Sequence, residues 1–187
     1  MPETTIHGEL TAEEFYQLRD PIEGGRIELM EGHVVAYPPG GGRRGATIGR
    51  LGSRLGLLDR NDSVLATLGS GYLIGSDPDT VLCPSIALVR PERLPGGELS
   101  ESFVPVAPDL AVEVVPGPSG AEAEDDRLRR YLNAGVRVWV VDLPTRSVAV
   151  YSPGRTQRVF VEGDSLGPDE LGVEGADFSL PVADIFR

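Results

Sequence analysis

Lysine is absent from this chain: all 17 basic residues are arginine. That excludes Schiff-base chemistry and the phosphate-binding lysine of a P-loop. A single cysteine, Cys83, rules out an intrachain disulfide. No stretch approaches the ~18 consecutive apolar residues that a membrane-spanning helix needs. Met1 to Leu10 has neither a basic opening nor an apolar run of signal-peptide length, so a cytoplasmic chain is expected. What remains is ordinary: 40% apolar and 25% charged residues over 187 positions, the balance of one globular domain spanning residues 1–187. The 24 glycines and 16 prolines, like the arginine bias, are consistent with a GC-rich genome.

The net charge of −12 repels polyanions such as DNA, so any nucleic-acid role needs a local exception. One exists between residues 43 and 60, where Arg43, Arg44, Arg50, Arg54 and Arg60 face only Asp59. Five cations against one anion give +4 there and leave −16 for the rest.

Thr11 is a helix N-cap, with Glu14 closing a capping box and Leu10 stapling onto Phe15 in a short helix to about Arg19. Pro21, Gly24 and Gly25 break the chain before two strand-like runs, 26–30 and 33–37, joined at Glu31-Gly32 as a hairpin. Ile48, Leu51, Leu55 and Leu58 then recur at helical spacing, with Arg43, Arg50 and Arg54 on another side. Gly45, Gly49, Gly52 and Gly56 on the same helix cost roughly 4 kcal/mol of helix propensity. Either they form a face for close packing, for instance in a homodimer, or they reflect genomic drift in a poor helix. Strands are expected over 71–75, 81–89, 110–115, 136–143, 148–151 and 158–161, with a helix over 121–133 that makes a strand-helix-strand crossover. Pro144-Thr145-Arg146 turns a terminal hairpin, and Leu180 to Phe186 forms a docking helix behind an acidic loop. The class is α/β, a mixed sheet flanked by few helices.

Acidic residues on apolar strands carry the chemical information, because a carboxylate among core residues loses hydration unless a cation meets it. Glu28 in Ile27-Glu28-Leu29 and Glu113 in Val112-Glu113-Val114 qualify, as metal ligands or as strand carboxylates paired with Arg. Asp109 and Glu113 are separated by about 13 Å of strand and cannot share one ion, so Asp109 is a turn or strand-entry residue. His7 and His33 have no partners at zinc-site spacing, and Ser119 is not in a nucleophile elbow. Gly40, Gly41 and Gly42 follow no dinucleotide fingerprint.

Six segments in order carry a family resemblance: 10–15 (LTAEEF), 27–32 (IELMEG), 81–84 (VLCP), 107–114 (APDLAVEV), 131–136 (YLNAGV) and 138–142 (VWVVD). The chain resembles the Uma-type restriction endonucleases of the PD-(D/E)XK nuclease superfamily nearly end to end. The resemblance implies a restriction-endonuclease-like mixed sheet with N-terminal and C-terminal hairpins. It also implies a magnesium or manganese site built from a carboxylate after the first helix, an Asp after the strand proline, and a Glu on the next strand. Glu28 and Glu113 match the first and third, with the Val114 carbonyl as a further ligand. Ser85 stands at the second position. The family's lysine falls on Arg127, and its histidine before the second helix falls near Arg44.

These departures have physical consequences. Ser85 removes one negative charge from a site that depends on carboxylate charge to hold magnesium. Arg127 can contact a phosphate, but with a pKa above ~12 it cannot take a proton from an attacking water. The resemblance therefore implies a weak metal-dependent DNA endonuclease, with Glu28, Ser85, Glu113 and Arg127 at its centre and Arg43, Arg44, Arg50 and Arg54 tracking the DNA backbone. The alternatives are a catalytically inactive descendant that binds nucleic acid or a protein partner, and a self-associating structural domain.

Overall fold

The computed structural model describes residues 3–4, 9–18, 25–58, 64–117, 121–173 and 177–187. Of the residues singled out above, His7, Arg19, Pro21, Gly24, Asp59, Arg60 and Ser119 lie outside them. Along the chain the strands are β1 (Glu3–Thr4), β2 (Arg26–Met30), β3 (His33–Tyr37), β4 (Leu65–Thr67), β5 (Tyr72–Gly75), β6 (Thr80–Leu82), β7 (Ile86–Val89), β8 (Leu110–Val115), β9 (Arg137–Asp142), β10 (Ser147–Tyr151), β11 (Arg158–Phe160), β12 (Ser165–Leu166) and β13 (Leu180–Pro181). The helices are α1 (Ala12–Gln17), α2 (Gly42–Leu55), α3 (Ala121–Asn133), α4 (Pro168–Leu171) and α5 (Val182–Ile185).

Helix α1 begins as its sequence dictates: the Glu14 amide donates to Thr11 Oγ1, and the Glu14 carboxylate accepts from the Thr11 amide at 2.8 Å. Its one buried residue, Phe15, packs with Leu29, Val34 and Val81. The β2–β3 hairpin turns through Glu31 and Gly32, both at positive φ (48° and 76°), the geometry of a two-residue hairpin loop. These strands belong to a five-stranded antiparallel sheet in the order β1-β3-β2-β6-β5.

A second, six-stranded sheet runs β11-β10-β9-β8-β7-β4. Its single parallel pair is β8 with β9, joined over the sheet by α3 as the crossover pattern requires. Every residue of β8 is buried, because both faces are covered. On one face Leu51 and Leu55 of α2 meet Val112, Val114, Trp139 and the tail residues Leu180, Val182 and Ile185. On the other, Tyr131 of α3 packs with Ala111 and Val138.

Three expectations change. The run 81–89 is two strands, β6 and β7, in different sheets, because Pro84 has no N–H for a ladder and the chain crosses between sheets at Cys83-Pro84-Ser85. Strand β4 was hidden by its shortness. Gly45, Gly49 and Gly52 of α2 and Gly56 at its C-cap do not form one packed face. A Cβ on Gly52 would lie 3.1 Å from Leu68 and one on Gly56 3.0 Å from the Gly52 carbonyl, whereas Gly45 and Gly49 have open space around them.

Candidate functional site

The passage of the chain from one sheet to the other places two acidic strand residues opposite one another. Glu28 comes from β2 of the antiparallel sheet and Glu113 from β8 of the mixed sheet. Arg127 reaches between them from α3, donating through Nη1 to Glu28 Oε2 and through Nη2 to Glu113 Oε1. All three are removed from water: Glu28 and Arg127 are 0% exposed and Glu113 is 4% exposed. At that depth each charge is tolerable only with its partners in place. One helical turn beyond Arg127, on the same face, the Tyr131 hydroxyl donates to Glu113 Oε1 at 3.1 Å. Burial first, and then the Glu113 charge, push the Tyr131 phenol well above the ordinary range.

The crossing segment fastens the rest. Glu28 Oε1 accepts the Cys83 amide at 2.7 Å, and the Cys83 carbonyl accepts from Arg26 Nη1 at 2.8 Å. The Arg26 guanidinium also lies 3.7 Å from Glu28 and 3.8 Å from Glu113. The Tyr37 ring stands beside both cations, 4.7 Å from the Arg26 guanidinium carbon and 5.6 Å from that of Arg127. Burial raises the Tyr37 phenol to about 12. It does the same to the Cys83 thiol, with the Glu28 charge as the next cause.

Ser85 sits on the far side of Pro84. Its hydroxyl oxygen accepts the Val114 amide at 3.2 Å and Arg44 Nη2 at 2.9 Å, while Arg44 Nε donates to the Val114 carbonyl at 2.8 Å. Thus Glu28, Glu113 and Arg127 come together through their side chains, while Ser85 meets the backbone of Val114. Arg44, expected on the DNA-facing stripe, is turned inward to join them.

The remainder of that stripe is divided. Arg50 donates to the Ile185 carbonyl at 2.8 Å, and Arg54 lies 3.6 Å from Asp184, so both hold the C-terminal helix. Arg43 is exposed. Sequence reasoning missed Arg26, Tyr37 and Tyr131. The signals were present: Arg26 shares a strand face with Glu28 and is the cross-strand partner of Tyr37, and Tyr131 follows Arg127 by four residues.

A divalent ion of the magnesium class needs several oxygen donors with open lone pairs and a surplus of negative charge. The donor set here has no surplus of negative charge, since Arg26 and Arg127 balance Glu28 and Glu113. Both carboxylates, the Val114 carbonyl and the Ser85 hydroxyl already accept from protein donors; the Arg26 and Arg127 guanidinium groups face the two carboxylates, and Arg44 takes the carbonyl and the hydroxyl. Among the described residues no three His, Cys, Asp or Glu side chains are grouped to hold a metal. The arrangement does not fit the ion.

A family model described as "Uma2: Putative restriction endonuclease" matches residues 12–183. The chain belongs to this Uma2 family. A solved structure similar to it is that of "a putative nuclease belonging to DUF820" from Anabaena variabilis ATCC 29413, with 23% identity and a TM-score of 0.73. That likeness covers 95% of this chain and 97% of the other, and it establishes the shared nuclease fold. No curated protein matches the chain. Within the Uma2 fold, the ionic centre occupies the crevice where the two sheets meet α3. A hollow of about 440 Å³ adjoins it, lined by Phe15, Tyr16, Ile27 and Phe103 with Arg26 and Cys83 among its walls.

Proposed function

We propose that this Uma2 protein is a nucleic-acid-binding member of its family that does not hydrolyse phosphodiesters by the divalent-metal route. The observation that carries this reading is buried Arg127 joined to both Glu28 and Glu113, themselves buried. An arginine so placed neither accepts a proton nor leaves the carboxylates open to a cation. Nucleic acid as the partner is supported by the family and by the start of α2. Gly41 gives that helix no side-chain cap, and the positive dipole end lies at exposed Gly41, Gly42 and Arg43.

The test pairs two assays on purified protein. Fluorescence anisotropy with a short DNA duplex should show binding that weakens steeply with salt. Supercoiled plasmid should remain intact in magnesium or manganese. Absence of any duplex binding at low salt, or nicking that Glu113→Ala abolishes, would refute the reading.

A second reading, a weak magnesium- or manganese-dependent endonuclease, is favoured by the family match and by the convergence of Glu28 and Glu113. It requires Arg127 to release both carboxylates. Nicking that survives Glu113→Ala would come from a contaminant and count against this second reading.

A further inference from the structure

The hollow beside the ionic centre has an aromatic wall that the centre does not use. Phe15 of α1 and Phe103 stack with ring centroids 5.2 Å apart, and the Tyr16 ring meets Phe103 edge-on at 5.3 Å. These rings are held in place. The Tyr16 hydroxyl donates to the Glu101 carbonyl at 2.9 Å, and Ser100 Oγ donates to the Phe103 carbonyl at 2.8 Å. Phe103 also lies so close over Gly71 that a Cβ there would fall 2.4 Å from its ring. Yet Tyr16 stays 47% exposed, a large aromatic side chain fixed at its hydroxyl and left open to solvent. Fixed rings around about 440 Å³ make a stacking site for a planar ligand.

The charge of the wall selects among planar ligands. Arg26 is its strong donor: Nη1 donates to the Cys83 carbonyl at 2.8 Å, and among the described residues Nη2 has no acceptor. Its charge is already balanced, because Arg26 and Arg127 together face Glu28 and Glu113. The neighbouring elements add acid rather than base, with Glu13 and Glu14 on α1 and Glu101 beside Tyr16. A phosphate or carboxylate would enter against that field, whereas a neutral ring with acceptors on its edge would not. Among the bases, guanine presents O6 and N7 side by side as acceptors, which suits a guanidinium; adenine sets an amino donor next to N7. A base inside a duplex is stacked on both faces and does not reach a concave wall, so the base that enters is unpaired.

We infer that this hollow is a binding site for an unpaired guanine base, with Tyr16 and Phe103 as the stacking wall and Arg26 as the donor to the O6/N7 edge. The inference deepens the nucleic-acid reading above and rests on it for the source of the base.

Equilibrium dialysis of the full chain against neutral nucleosides tests it without any phosphate contact. Guanosine should be retained with a Kd of about 100 μM, and adenosine about tenfold more weakly. 7-Deazaguanosine, which lacks the N7 acceptor, should bind several-fold more weakly than guanosine. Tyr16→Ala should weaken guanosine about tenfold, and Tyr16→Phe, which keeps the ring, by less than about threefold. Tyr16 is too exposed for either change to open the core.

Equal retention of guanosine and adenosine, retention of neither, or a Tyr16→Ala chain that binds guanosine as wild type does would each overturn the inference. Guanosine bound selectively by a protein that shows no duplex binding at low salt would overturn the functional reading and leave this one standing. Duplex binding without retention of guanosine would do the reverse.

Discussion

Two clusters of arginine and carboxylate sit on the same strand of this protein and differ in almost everything else. At the mouth of β8, Asp109 meets Arg90 and Arg93 at 3.0 Å, and those arginines are 45% and 33% exposed. Four residues further along, Glu113 shares Arg127 with Glu28 where almost no side-chain surface is left to solvent. The outer cluster fixes a loop to a strand end, with the Arg90 amide also donating to Asp109 at 2.9 Å. The inner cluster joins two sheets and a helix. Charge pairs of similar chemistry thus carry different weight because solvent screens one and not the other.

The contrast is broken most directly at its buried end. Glu28→Ala removes an acceptor from Arg127 and from the Cys83 amide together, and should cost about 3–5 kcal/mol, the usual penalty for stranding a buried charge. Chemical denaturation should show the midpoint falling with little change in slope. A cost near 1 kcal/mol would mean that water enters the centre and that the two clusters are alike.

Alkali should expose the same difference. Cys83 and Tyr37, both packed against the inner cluster, have their pKa raised to about 12 from ordinary values of 9.0 and 10.0. The folded chain therefore keeps protons that the unfolded chain releases. By linkage, the stability these groups contribute is complete below the unfolded values and is lost as pH rises from about 9 toward 12. Melting temperatures should fall across that window, and Cys83→Ala should flatten part of the fall. The Cys83 thiol should also resist alkylating reagents at neutral pH while the chain is folded. Prompt modification of native protein would contradict the assigned burial.

How much of this was legible beforehand depended on the range of the interaction. Local signals were enough for the α1 capping box, the Glu31-Gly32 hairpin and the β8-α3-β9 crossover, since each is set by residues within a few positions of one another. Glu28 and Glu113 stood out because a charge on an apolar strand demands a partner. The identity of the partner was harder. Resemblance assigns Arg127 to the site, but nothing in the order of residues says that its guanidinium lies between the two acids. Arg44 is hard to place for a related reason: the run of arginines over 43–60 suggests an outward-facing cation, while its partners are 41 and 70 residues away. Pro84 carried the signal for the strand break, and the apolar residues on either side masked it.

The outer cluster supplies the next test. Asp109→Asn keeps an acceptor for the Arg90 amide but removes the charge that two half-exposed arginines share, and should cost about 1 kcal/mol. Added salt should lessen that cost and leave the Glu28→Ala penalty almost unchanged, because ions screen the pairs they can approach. Equal salt sensitivity at both sites would remove the distinction drawn between them.

The smallest effect is expected where the arginines of α2 meet the C-terminal helix. Arg54 lies 3.6 Å from Asp184, with more than half of its side chain exposed, so the pair gains little Coulomb energy and orders a long side chain to do so. Arg54→Ala should change stability by no more than about 0.5 kcal/mol. Arg50→Ala should cost more, about 1 kcal/mol, because the Ile185 carbonyl at the end of α5 then loses its 2.8 Å donor. If the ranking reversed, Arg54 would be under a demand that the fold does not impose, and contact with an external anion would be the reason to examine. Duplex affinity measured on the same two variants resolves it: a stripe that faces nucleic acid weakens more on loss of Arg54, and one that holds the tail in place weakens with neither.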